Sequence, residues 1–151
     1  MKAILQSIQN RIAASVQAVQ YVDENWGQLD LYGPEIPVKW PCVLIDIGSG
    51  QFSNIGRNNK MIPTNRQQGN FTVELTIAAL KLTNSSFKAP QTQKWHAFDI
   101  WELVEEIHRE VHGWSPDELS GGLIRSSLNK VKRDDGVQEV RVIYSLGLND
   151  C

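Results

Sequence analysis

Val43-Leu44-Ile45-Asp46-Ile47-Gly48-Ser49-Gly50 is followed at once by Gln51-Phe52-Ser53-Asn54-Ile55-Gly56-Arg57-Asn58-Asn59-Lys60, and the fold turns on how that junction is read. The first eight residues read as a buried strand running into a glycine turn. The next ten have no helical period, and Asn54, Gly56 and Asn58 favour turns. The chain stays polar as far as Asn70, so residues 48–70 read as one long loop. Loops of this length are unusual inside a compact domain and are commonly functional or disordered. This one carries Arg57, Lys60 and Arg66 with no Asp or Glu among them.

Good elements flank the loop. Upstream, Cys42–Ile47 is a near-continuous apolar run, as in a central strand covered on both faces. Downstream, Phe71, Val73, Leu75, Ile77 and Ala79 alternate with Thr72, Glu74, Thr76 and Ala78, the pattern of a strand with one buried face. At the N-terminus, Ile4, Ile8, Ile12, Val16 and Val19 recur at three- and four-residue spacing and predict a helix over residues 2–20. Residues 21–40, with Gly27, Gly33, Pro34 and Pro37, read as an extended, turning connection that Pro41 ends.

Residues 83–92 form a Ser/Asn/Pro loop. A second helix is predicted from about Gln93 to Val111, with Trp95, Phe98, Trp101, Val104, Ile107 and Val111 as its inner stripe; Gly113 and Pro116 stop it. Leu123–Lys132 is strand-like, and Asp134-Asp135-Gly136 makes a tight turn. Val140, Val142, Tyr144 and Leu146 then alternate with Glu139, Arg141, Ile143 and Ser145, completing a C-terminal β-hairpin. The order is α-β-long loop-β-α-β-β. Helices and antiparallel strands in separate blocks define an α+β fold, a mostly antiparallel sheet packed by two main helices.

A chain of 151 residues fits a single domain, 1–151, with residues 48–70 as a protruding loop or arm. Hydrophobic content of 41% and charged content of 21% match an ordinary globular protein. A net charge of -2 argues against a generally basic nucleic-acid binder. No apolar run approaches the roughly 20 residues of a membrane helix. Gln and Ser interrupt the N-terminal segment, which therefore lacks the core of a secretion signal. Synthesis and use in a cytoplasm is the expectation.

Cys42, at the start of an apolar strand, is expected to act as a small hydrophobe. Cys151, at the end of the sequence, is expected to be mobile. Of the five tryptophans, most serve core and rim packing on this reading. Trp26 and Trp40 lie in loop-like context and are candidates for anchoring a subunit interface.

Three stretches carry residues used in catalysis or metal binding elsewhere. Asp46-Ile47-Gly48-Ser49-Gly50 resembles the first motif of S-adenosylmethionine methyltransferases. That motif needs a helix directly after the glycines, whose free N–H groups help bind the cofactor, and none is predicted. His108 and His112 share a helical face with Glu105. Arg109 stands where a zinc protease would have its glutamate, and no cysteine pair closes a ligand set. Ser49 has no identifiable base partner and no Gly-x-Ser-x-Gly elbow, and there is no Walker loop. The expectation is a protein without catalytic residues, metal or cofactor.

The layout as a whole points elsewhere. An amphipathic N-terminal helix leads through Pro34-Glu35-Ile36-Pro37-Val38-Lys39-Trp40-Pro41 to an apolar strand. A long excursion, an alternating strand, one helix and an Asp-Gly hairpin follow. Over roughly residues 2–148 this resembles the tail-terminator and tail-completion proteins of long-tailed bacteriophages and prophages. The resemblance implies a small α+β subunit that closes into a ring, commonly a hexamer. Such a ring caps the tail tube and meets the head–neck connector, placing the protein in a virion tail or neck. It implies no specific nucleic-acid readout and no membrane. Another head–tail joining protein or minor tail adaptor shares the general build; a methyltransferase-like enzyme is the remote alternative.

The long loop suits such an assembly. As a hairpin arm with about eleven extended residues per limb, residues 48–70 span roughly 35 Å. The arm's Arg57, Asn58, Asn59, Lys60 and Arg66 are then expected to meet the acidic face of a neighbour's second helix, around Glu102, Glu105 and Glu106. Contacts of this head-to-tail kind close into rings.

Overall fold

The computed structural model describes residues 1–31, 35–81 and 85–150. Gly33, Pro34, Thr83 and Cys151, to which the sequence reading assigned connections and a chain end, lie outside the described residues. The chain is an α+β fold built on one five-stranded sheet. The strands are β1 (Tyr21–Glu24), β2 (Cys42–Asn54), β3 (Gln67–Leu80), β4 (Ile124–Val131) and β5 (Val137–Asn149), and their spatial order is β1-β2-β3-β5-β4. All pairings are antiparallel except β1 with β2.

Helices α1 (Lys2–Ser15) and α3 (Asp99–Val111) pack on one face of the sheet; α2 (Gln91–Ala97) precedes α3. The sheet's alternation decides which side chains meet them. Phe71, Val73, Leu75 and Ile77 of β3 and Val140, Val142, Tyr144, Leu146 and Leu148 of β5 point to the helices. There they meet Ile4, Ile8 and Ile12 of α1 and Ile100, Val104, Ile107 and Val111 of α3, all buried. A methylene in such a core contributes about 0.8 kcal/mol. Arg11 of α1 reaches Glu110 of α3 at 3.3 Å and ties the two helices together.

Among the described residues, the opposite face is covered at one end. Leu29, Cys42, Leu44, Ala78 and Val137 form a second apolar cluster there, with Tyr21, Ile36, Val38 and Trp40 packed against it. Beside it Arg133 donates to Asp135 at 2.6 Å, to Glu139 at 3.4 Å and to the Leu29 carbonyl. Glu139, only 1% exposed, also accepts from Arg141 at 3.2 Å. This ion network joins the β4–β5 turn to the connection after β1.

The predicted elements exist, with four corrections. The first helix ends at Ser15 rather than residue 20, because Val16 leaves helical geometry (φ -113°, ψ 88°). The connection after it contains a short strand, β1, and a 3-10 turn at Gln28–Asp30. The second helix is broken at Phe98 into α2 and α3. Its inner stripe is Ala97, Ile100, Leu103, Val104, Ile107 and Val111. Trp95 is 67% exposed, Phe98 49% and Trp101 37%. Steps of three residues fall about 60° short of a full turn each, so a stripe begun at Trp95 drifts away from the face that holds Val104.

The fourth correction is the long loop. β2 does not stop at Gly48 but continues to Asn54, and β3 begins at Gln67. The register shifts between Ile47 and Gly50, a bulge, and pairing then resumes from Gly50↔Phe71 to Asn54↔Gln67. Residues 48–54 and 67–70 therefore belong to the two strands. The remaining connection is 55–66.

Candidate functional site

The hairpin of β2 and β3 outruns the sheet. β1 accompanies β2 only from Cys42 to Ile45, and β5 accompanies β3 only as far as the Gln68↔Asn149 pair. Beyond that pair no third strand flanks the hairpin among the described residues. Its tip is nonetheless a built turn. Ile55 N donates to the Arg66 carbonyl at 2.7 Å, and Asn58 N to the Ile62 carbonyl at 2.9 Å. The Asn58 side chain accepts from Lys60 N at 2.9 Å and Ile62 N at 3.0 Å, closing the loop as Asx residues do. Thr64 Oγ1 donates to the Ile55 carbonyl.

The tip presents an unusual surface. Phe52, Met61 and Ile62 are 56%, 67% and 54% exposed. Met61 holds φ +61°, a left-handed conformation in which Gly or Asn is the usual choice. Arg57, Asn59 and Lys60 are exposed, and neither Arg57 nor Lys60 has an ion-pair partner among the described residues. The free part of the arm has about six residues per limb. Its reach beyond the sheet is thus at most about 20 Å, shorter than the span of a fully free loop.

Arg66 corrects the picture of three free cations. Its guanidinium grips Asp150 through two bonds, 2.6 and 2.9 Å. The pair pins the root of the arm to the end of β5 and holds the Asp150 carboxyl below the usual carboxylate range.

Gly48 and Gly50 sit inside β2 and serve packing. A Cβ at Gly50 would lie 2.5 Å from Cε1 of Phe71, and one at Gly48 would collide with Thr72 Oγ1. Phe71 in turn meets Phe52 edge-on, ring centroids 5.1 Å apart. A hollow of about 520 Å³ at the arm's root is lined by glycines, amides, Phe52, Ser53 and Leu148, with no titratable side chain.

The acidic residues divide in the same way as the cations. Glu105 is used internally, paired with Arg125 at 3.3 Å. Glu102 and Glu106 have no such partner among the described residues. Together with Asp99 they line a groove of about 360 Å³ whose floor is Pro41, Ala79, Ile100 and Leu103. A second hollow, lined by Trp95 and Phe98, adjoins it and shares Asp99 and Glu102. His96 approaches Asp99 at 3.4 Å. Sequence reading missed Asp99, although an acid in the first turn of a helix is a recognised signal.

Trp26 and Trp40 part company. Trp26 is 60% exposed beside the buried Gln28, whose side chain accepts from Trp26 N at 2.9 Å. Trp40 is partly buried against the second apolar cluster.

The histidines work within the fold. The rings of His108 and His112 lie 4.6 Å apart. His108 Nδ1 meets the Tyr144 hydroxyl at 3.2 Å, while His112 Nδ1 accepts from Arg125 N at 3.2 Å. Burial, then Arg125 and His112, push the His108 pKa down. Burial pushes Tyr144 up to about 12 and, on β2, the Cys42 thiol up to about 12. Among the described residues no group of three or more His, Cys, Asp or Glu is placed to hold a metal ion. No helix among them is long and apolar enough to cross a membrane.

No protein-family model matches the chain, and no curated protein matches it in sequence.

Proposed function

We propose that this chain is a structural subunit of a long-tailed bacteriophage or prophage particle. It is a tail-terminator or tail-completion protein that closes into a ring, caps the tail tube and meets the head–neck connector. The reading rests on the layout described above and on one observation in particular, the β2–β3 arm. The connection 55–66 extends beyond the last three-strand register and ends in exposed Lys60-Met61-Ile62, with Met61 in left-handed geometry. Apolar side chains and cations displayed on a projecting hairpin suit a contact with another protein surface better than they suit a lone monomer. Backbone strain held at such a tip is a mark of functional sites.

The role needs no catalytic residue, metal, cofactor, nucleic acid or membrane. It places the protein in the bacterial cytoplasm during synthesis and in the virion tail or neck afterwards. Sedimentation velocity and negative-stain electron microscopy of the purified full chain test it, alone and with assembled tail tubes. Closed rings that seat on tube ends are expected. A chain that stays monomeric at every concentration and ignores the tubes is not a terminator.

A further inference from the structure

The groove beside α3 and the arm sit at opposite ends of the same two strands. Pro41 immediately precedes β2, and Ala79 is the penultimate residue of β3; both line the groove. Cys42 pairs with Ala78 at that end, and Asn54 pairs with Gln67 at the root of the arm. The twelve steps between Cys42 and Asn54 span about 40 Å. The arm of one molecule therefore cannot reach its own groove.

The two surfaces are nevertheless complementary. The arm tip carries Arg57 and Lys60 around exposed Met61 and Ile62. The groove carries Asp99, Glu102 and Glu106 around Pro41, Ala79 and Leu103, and no basic residue among the described ones lines it. On both surfaces the charges flank an apolar centre. That arrangement matches the anatomy of protein interfaces, an apolar core with a polar rim.

We infer that the arm tip of one copy seats in the α3 groove of the next, with Met61 and Ile62 over Leu103 and Ala79 and with Arg57 and Lys60 against Glu102 and Glu106. The inference rests on the ring reading and says where its joints lie. Because the contacting surfaces differ and lie at opposite ends, the contact is head-to-tail. It propagates from copy to copy until the rotation closes a ring. Arg66 and Glu105, satisfied by Asp150 and Arg125, take no part.

A charge-swap experiment on the full chain tests this. One variant carries Arg57→Glu and Lys60→Glu; the other carries Glu102→Lys and Glu106→Lys. Each alone is expected to lose assembly at least tenfold in association constant, read by sedimentation velocity, with an unchanged circular dichroism spectrum. Mixed in equal amounts, the two are expected to reassemble. Every arm then finds an oppositely charged groove, and the copies alternate around the ring. Neutral variants, Arg57→Gln with Lys60→Gln, guard against misfolding of the reversed ones and are expected to weaken assembly by a smaller factor. If the unaltered chain forms rings while the charge variants assemble equally well, or if folded variants fail to recover on mixing, the groove is not the joint and the ring reading stands. If the unaltered chain forms no oligomer, the ring reading and the joint fall together.

Discussion

The ring of Phe71 lies against the backbone of Gly50, across the β2–β3 pair, where a Cβ would come within 2.5 Å of Cε1. Phe71 is 7% exposed and belongs to the main core, so its ring has little room to retreat. Gly50→Ala therefore forces either the ring or the strand to move. Overpacking of this kind costs about 1–3 kcal/mol. Urea unfolding is expected to show a loss in that range. An unchanged midpoint would mean that Phe71 swings away freely and that the glycine serves another purpose.

A second core position offers the opposite sign. Thr76 is 2% exposed, and its hydroxyl has no hydrogen-bond partner among the described residues. An unpaired buried hydroxyl loses its hydration without compensation. Thr76→Val keeps the shape and removes the polar atom, in a strand where β-branched residues belong. A gain of about 1 kcal/mol in unfolding free energy is expected by the same measurement.

The ion network on the other face is a sterner test. The carboxylates of Glu139 and Asp135 have only 2% and 8% of their side-chain surface exposed, and Arg133 serves both. Arg133→Ala takes the cation from the buried Asp135 carboxylate, leaves Glu139 with Arg141 alone and frees the Leu29 carbonyl. Removing one partner from a buried network costs about 3–5 kcal/mol. Chemical denaturation of the variant checks this. A loss below about 1 kcal/mol would place the network in the weak class of surface pairs.

How much of this was legible in the sequence follows from where each segment lies. β3 and β5 read clearly because one face of each meets helices, so their alternation is strong. β2 beyond Gly48 did not. Residues 48–54 are exposed on both faces, so no alternation marks them, and pairing with β3 supplies what their sequence lacks. The four residues of β1 were too few and too acidic to read as a strand. Arg57, Lys60, Glu102 and Glu106 were visible in the sequence as charges, on the same footing as Arg66 and Glu105. That Arg66 belongs to Asp150 and Glu105 to Arg125 was invisible, because the partners lie 84 and 20 residues away and only the folded sheet brings them together.

His108 gives the fold a predicted pH response. Its folded pKa is lowered by burial and by Arg125 and His112, with Glu105 opposing. The unfolded chain therefore takes up a proton on this ring at a higher pH than the folded one. Its contribution to stability is complete above the ordinary histidine pKa of 6.5 and is lost as pH falls below it, through the lower folded value. The thermal midpoint is expected to fall between about pH 7 and 5. His108→Gln keeps a polar group near the Tyr144 hydroxyl but cannot titrate, and is expected to flatten that slope. An equal slope in the variant would assign the response to other groups.

Met61 separates stability from assembly. Its φ of +61° disfavours an L side chain by about 1–2 kcal/mol, whereas Asn tolerates this geometry well. Met61 is 67% exposed and lies outside the apolar clusters of the described residues. Met61→Asn is expected to leave the folded subunit as stable or up to about 1 kcal/mol more stable. It also removes apolar surface from the arm tip, and is expected to raise the concentration at which rings dissociate. The two measurements then move in opposite directions, which a purely structural role for Met61 cannot produce. A variant that gains stability and assembles as before would show that the tip's apolar surface makes no contact.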